Sequence, residues 1–196
     1  MKLRIYKILL IILIICMIIV LRLIGLKYAK RMINEEKNKE AVEVFADIGS
    51  QDNQEIEMEG YKVIGIVKIP KIEIEYPIVA IETSNPEETK EPMKIAIVKY
   101  WGGNVNDYGN LSIAGHNNYD GTMFGKTRNL EVGDIVELTD LTKTTINYQI
   151  YDIFKTNPND VNVLKTEDNT IRVVTLITCT NGNKERLIIK AKEFLE

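Results

Sequence analysis

Residues Ile8 to Leu21 form an unbroken apolar run, ILLIILIICMIIVL, preceded by Lys2, Arg4 and Lys7. Leu23 to Leu26 extend it past Arg22, whose long stem can reach the interface while its charge stays wet. The segment totals about 19 residues, enough to cross a hydrocarbon core. A cleaved signal peptide is the competing reading, but no small-x-small site follows, only the large and charged residues of Lys27 to Arg31, so a retained anchor over residues 1–26 is expected. Lysine and arginine flank the run on both sides and do not choose its orientation. Membrane lipid is thus a partner of the chain through its N-terminus.

The anchor constrains everything after it. Of 196 residues, those remaining suffice for one packed domain and are too few for two. Residues 27–60 are polar and acidic with weak helical periodicity, and read as a partly helical linker or stalk. From residue 61 to 196 the texture changes to short β-rich runs: VIGIVKI, NLSIA, DIVEL, TINYQIYDIF, IRVVTLITC and RLIIKA. Turn pairs such as Asp120-Gly121, Gly133-Asp134, Asn157-Pro158 and Asn181-Gly182 separate them. Short strands so punctuated predict an all-β domain, an antiparallel sandwich or barrel. Short helical turns are expected at Pro86 to Lys90, capped by Asn85, and near Phe124 to Leu130.

The formal net charge of −3 supplies no basic surface, and no groove-reading motif occurs, so nucleic acid is not an expected partner. The two cysteines are Cys16, inside the apolar run, and Cys179. They cannot bridge each other, which leaves Cys179 as a free thiol in need of a reason. Two cysteines and the single histidine, His116, do not make a zinc site. Asp160, Glu167 and Asp168 could be weighed as calcium ligands, but an acidic solvated loop accounts for them, and neither metal nor cofactor is expected.

Cys179 ends an apolar strand just before the Asn181-Gly182 hairpin signal, so it should lie at a strand's mouth. With a loop of two or four residues, Cys179 pairs with Lys184 and Ile177 with Arg186. Arg186 is then a diagonal neighbour on the Cys179 face, roughly 7–8 Å away at the backbone. A three-residue loop would turn Arg186 to the other face. A cation beside a thiol favours the thiolate and can stabilise the oxyanion formed when it attacks a carbonyl. His116 follows the strand Leu111 to Ala114 through Gly115, again where a strand ends, and is the natural proton partner. Each has an ordinary reading too: a buried apolar cysteine, an exposed histidine near a turn, a solvated edge arginine.

The wording around these residues carries more than any one of them. Ile113-Ala114-Gly115-His116-Asn117 and Thr175-Leu176-Ile177-Thr178-Cys179, followed by Arg186-Leu187-Ile188-Ile189, resemble the signatures of the sortase family. The resemblance runs from about Ile64 to the C-terminus, including Val67-Lys68-Ile69-Pro70-Lys71-Ile72, Pro77-Ile78 and Asn129-Leu130 to Gly133-Asp134. It implies a sortase-type eight-stranded β-barrel with short helices, preceded by the transmembrane helix. It also implies cleavage of a Leu-Pro-x-Thr-Gly-like sorting signal after Thr, through a thioester on Cys179, and transfer of the acyl group to an amine. By motif match Cys179 is nucleophile, His116 acid/base and Arg186 oxyanion stabiliser, with Thr178, Ala114 and Asn117 as substrate-binding candidates. The implied partners are surface proteins bearing a C-terminal sorting signal and an amine acceptor such as a peptidoglycan precursor. The implied location is a single-pass cell-membrane protein with its domain extracytoplasmic.

Two departures stand out. Tyr108-Gly109 occupies the place where many members carry Pro-Gly, and the stretch Val98 to Gly103 lacks the commoner Gly-His-rich wording. The single anchor, the absence of a second apolar run after Ala191 and the short loop before the cysteine strand are similar to classes A and D, with class D expected. The rival functions are a membrane-tethered cysteine hydrolase and a non-catalytic β-barrel that binds an envelope component.

Overall fold

A computed structural model describes residues 2–48, 55–81, 88–165 and 168–194. The chain divides into two compact units, Met1–Glu36 and Lys37–Glu196. The first consists of the greater part of one long helix, α1 (Lys2–Asp47). Its apolar stretch is exposed throughout and is long enough to cross a membrane.

Among its described residues the second unit has nine strands: β1 (Glu57–Met58), β2 (Tyr61–Ile69), β3 (Ile74–Val79), β4 (Ile97–Trp101), β5 (Gly109–Ala114), β6 (Ile135–Asp140), β7 (Thr145–Thr156), β8 (Arg172–Thr180) and β9 (Glu185–Glu193). Their spatial order is β1-β2-β3-β4-β5-β8-β9-β7-β6, and β6 pairs back onto β2. That last pairing closes β2 to β9 into an eight-stranded barrel, with β1 as a two-residue addition outside the ring. Val67 and Ile69, Leu111 and Ile113, Val174 and Leu176, and Leu138 and Ile150 alternate inward into one core, as the period of two in a strand requires.

Two ladders differ from the antiparallel arrangement expected of a chain of short strands. β3 pairs β4 in parallel, and β5 pairs β8 in parallel. Parallel neighbours cannot be joined by a tight turn, and here they are not. Residues 80–96 link β3 to β4, while the β6–β7 hairpin intervenes between β5 and β8. Of the expected helical turns, Asn85 and Pro86 lie outside the described residues. A 3-10 turn follows at Pro92–Lys94, and another at Thr127–Asn129 within the expected 124–130 stretch.

In the segment of linker-like composition, helix α1 runs on to Asp47, because the polar residues there still present an apolar file. Ala41 and Phe45 are buried against Met58 of β1, Val63 and Ile66 of β2, Val79 of β3 and Val98 of β4. Since Val67, Ile78 and Ile97 point into the barrel, this second cluster coats the outside of the same strands. Asn38 Nδ2 donates to the Ile95 carbonyl at 2.7 Å. At the helix C-terminus, Lys143 donates to the Phe45 carbonyl and lies 3.6 Å over the Phe45 ring. A cation is favoured at that end of the helix dipole, although partial burial pulls the ammonium pKa below its ordinary value.

Candidate active site

Cys179 and Arg186 sit directly opposite each other across β8 and β9. The hairpin loop comprises residues 181–184, with Asn181, Gly182 and Asn183 all in the left-handed region at φ of 49°, 61° and 70°. Thr180↔Glu185 is therefore the last pair of the ladder, and the pairing is offset by two residues from the expected Cys179–Lys184. An offset of two keeps the face, so Arg186 still shares it with Cys179. Directly opposed side chains come closer than the expected diagonal pair, with Cβ atoms about 4.5–5.5 Å apart. The Arg186 guanidinium rests against the hairpin, its Nη1 3.4 Å from the carbonyl oxygens of Asn183 and Glu185. On the far side of β9, Thr156 of β7 pairs with Arg186 and completes the row. Thr156 was invisible as a neighbour in the sequence, because only the β7–β9 register brings it there.

The histidine arrives from the other side of β8. Leu111↔Val174 and Ile113↔Leu176 point into the core, so Asn110, Ser112 and Ala114 face outward with Val173, Thr175 and Ile177. Two residues beyond the last pair of this ladder, Cys179 still lies in β8 on the outward face, and His116 stands in the loop just past the end of β5, at the same end of the barrel. Both are half-buried. Gly115, between Ala114 and His116, donates to the Ile177 carbonyl at 3.1 Å. A Cβ there would lie 2.4 Å from Ile97 Cδ1 and 3.0 Å from Phe124, so only glycine lets the strand leave the barrel this close to the core.

The loop that carries His116 is tied down along its length. Phe124 N–H donates to the His116 carbonyl at 3.0 Å, and Asn117 forms an isolated bridge with Met123. Met123 N–H donates to the Tyr76 hydroxyl at 2.9 Å, in the buried interior. Tyr76 stands with Ile74 and Ile78 on the inward file of β3. A tyrosine on an inward file, with a hydroxyl that burial obliges to find a partner, was the available signal.

The remaining candidates are all at the site, and two of them have their side chains engaged within the protein. Thr178 is buried and its Oγ1 donates to the Gly115 carbonyl at 2.7 Å. Asn117 Nδ2 donates to the carbonyl of Cys179 itself, also at 2.7 Å. Ala114, 4% exposed, packs beside Ile177 on the outward face.

The loop from β7 to β8 borders the site beyond Thr156. Asp160 accepts from Thr156 Oγ1 at 2.7 Å and from Asn162 N–H at 3.0 Å, capping the 3-10 turn Val161–Leu164. The Thr156 hydroxyl, then the Asn162 amide, hold its carboxyl below the ordinary carboxylate range. Asp168 accepts from Thr170 in the same manner, and its carboxyl is likewise lowered by that hydroxyl and amide. Glu167 lies outside the described residues. Among the described residues no group of three or more His, Cys, Asp or Glu side chains converges as metal ligands would.

A closed eight-stranded barrel with an arginine directly opposite a cysteine, and a histidine just past the end of the strand parallel to the cysteine's, defines a class of fold and site. A family model of the sortase domain matches residues 67–194, and the chain belongs to the sortase family. The fold is similar to that of the Clostridium perfringens sortase D5 transpeptidase, with TM-score 0.64 and 27% identity over 84% of this chain and 99% of that one. Sortase A from Corynebacterium diphtheriae shares the fold at TM-score 0.59 and 22% identity, over 69% of this chain and 62% of that one. A Clostridium perfringens sortase C, solved with the C-terminal cell wall sorting motif, does so at TM-score 0.57 and 22% identity, over 83% and 87% of the two chains. No curated protein matches the sequence.

Proposed function

We propose that the chain is a membrane-anchored cysteine transpeptidase that cleaves a Leu-Pro-x-Thr-Gly-like sorting signal after Thr and passes the acyl group to an amine. The observation that carries this reading is the direct opposition of Cys179 and Arg186, beside the parallel ladder past whose end His116 follows by two residues. Cys179 gives its proton to His116 as its sulfur attacks the threonine carbonyl carbon, and the carbonyl π electrons move onto oxygen. Arg186 meets that developing charge; its present partners are two long contacts to neutral carbonyls, which an oxyanion outcompetes because charge-assisted bonds are shorter and stronger. His116 gives a proton to the departing glycine nitrogen as the C–N bond breaks, leaving a thioester. An incoming amine then adds to the thioester carbonyl, loses a proton to His116, and expels the Cys179 thiolate as the new amide forms.

The substrates on this reading are surface proteins with a C-terminal sorting signal, and the acceptor is an amine such as that of a peptidoglycan precursor. The anchor keeps the N-terminus cytoplasmic and the barrel outside the membrane. Class D is supported by the similarity that spans 99% of the D5 structure.

The test uses the full chain in detergent, incubated with a Leu-Pro-x-Thr-Gly/Ala peptide library with and without an added amine, and read by intact mass spectrometry. The wild type gains an acyl adduct that the amine resolves into a new amide, and Cys179→Ala gains none. An adduct resolved only by water makes the protein a hydrolase. No adduct with any peptide, together with a Cys179 thiol unreactive until the protein is unfolded, leaves a tethered binding module.

A further inference from the structure

Strand β8 loses its neighbour at the point where the chemistry is placed. The parallel ladder between β5 and β8 ends at Ala114↔Ile177, with Gly115 N–H bonded to the Ile177 carbonyl. Beyond that point the chain leaves β5 for the loop after His116, while β8 continues to Thr180. Backbone groups of alternate residues in a strand face the same neighbour. The Cys179 carbonyl therefore points where the Ile177 carbonyl does, at a side from which the strand has departed.

Asn117 occupies that place. Its Nδ2 donates to the Cys179 carbonyl at 2.7 Å, across 62 residues of sequence. The reciprocal bond runs the other way, from Thr178 Oγ1 to the Gly115 carbonyl at 2.7 Å. Two side chains thus bridge the two segments in opposite directions. His116 lies between one acceptor and one donor, and Cys179 is the other acceptor. Behind the bridge, the Asn117–Met123 pairing and the bond from Met123 N–H to Tyr76 hold the loop so that it cannot follow a moving side chain.

We infer that Asn117 is a positioning residue, whose carboxamide replaces the missing strand and sets the separation of His116 from Cys179. The inference rests on the transpeptidase reading and assigns this side chain to alignment of the reacting pair instead of to peptide binding. The alignment it fixes decides how easily a proton passes between thiol and imidazole, because near-attack geometry is lost with displacements of about 1 Å.

The test compares the full-length wild type with Asn117→Ala and Thr178→Val, each checked for an intact fold by thermal melting. Three quantities are measured: the single-turnover acylation rate at saturating peptide, the peptide concentration at half-maximal rate, and the pH profile of Cys179 alkylation by iodoacetamide. Arg186, the charge facing Cys179 from β9, is unchanged in both variants, so a displaced profile reports the histidine. The expected result for Asn117→Ala is a saturating rate about 10- to 100-fold lower, a half-saturating concentration within about twofold of wild type, and a displaced alkylation profile. Thr178→Val shifts the same quantities in the same direction. A raised half-saturating concentration with an unchanged saturating rate would overturn the inference, since Asn117 would then be gripping peptide. So would activity that falls only with the folded fraction while the alkylation profile stays that of wild type. If the wild type itself is never acylated, the transpeptidase reading fails, and the alkylation profiles alone judge the bridge: identical profiles overturn it, a displaced profile upholds it.

Discussion

Arginine and lysine are not equivalent at position 186. The guanidinium is a rigid fork that stays charged at any working pH, whereas an ammonium is a compact, strongly hydrated point on a flexible stem. On the proposed mechanism, direct opposition to Cys179 lets the fork reach an oxygen on the carbon that the sulfur attacks without a large swing. Arg186→Ala should lower the acylation rate at saturating peptide by about 10²–10³-fold, the usual cost of deleting one oxyanion donor, and Arg186→Lys should recover only part of it. Rapid-quench acylation followed by mass spectrometry checks both, and an undiminished rate in Arg186→Ala would remove this residue from the mechanism. His116 and Cys179 stood out as candidates because the sequence offers one histidine and one cysteine outside the apolar run. Asn117 and Thr178 were legible as neighbours of those residues, but their bonds to Cys179 and Gly115 cross more than 60 positions of chain, and spacing carries no trace of such a contact.

At the level of elements, strands announced themselves through alternation and turn residues, and β2, β5, β7, β8 and β9 fall where those patterns put them. What alternation cannot express is which strand lies beside which. The parallel β5–β8 pairing, which sets the segment leading to His116 beside the strand of Cys179, depends on the order in which strands enter a closed sheet. The hairpin parity was decidable only once three successive left-handed residues had set the loop length at 181–184. The β7–β8 loop offers a pH test of its own construction. Asp160 is more acidic in the fold than in a free chain because Thr156 and Asn162 donate to its carboxylate. The stabilisation it lends the 3-10 turn is therefore complete above the ordinary carboxylate range and is lost as pH falls through the lowered folded value. Amide exchange at Asn162, followed by NMR, should accelerate in that acid window. Asp160→Asn should abolish the pH dependence at Asn162 and leave that of Thr170, set by Asp168, as it was. An acid response at Asn162 that survives this substitution would contradict the assignment.

Over the whole molecule, composition is a poor guide to where the folded unit begins. Residues of linker-like character supply Ala41 and Phe45 to a buried cluster on the barrel's outer wall, and Phe45 is only 3% exposed. A chain starting at Lys37 should be soluble and fold cooperatively, whereas one starting at Tyr61 loses the helix, β1 and the cover over Val63, Ile66 and Val98. Phe45→Ala in the longer chain should cost about 3–5 kcal/mol, the range for emptying a buried phenylalanine site. Urea unfolding of the three proteins tests this ordering, and equal midpoints would make the helix a passive appendage. Closure of the ring by β2 and β6 has a further effect. An open sheet can recruit an extended peptide as one more strand, through its row of vacant backbone groups. Among the described residues the ladders from β2 round to β6 close on themselves, and what stays unpaired is confined to short stretches such as β8 beyond Ile177. On the proposed function, a sorting signal is then read crosswise, by side chains on the outer wall and by loop edges, so selectivity between signals is expected to follow pocket shape and not main-chain zippering.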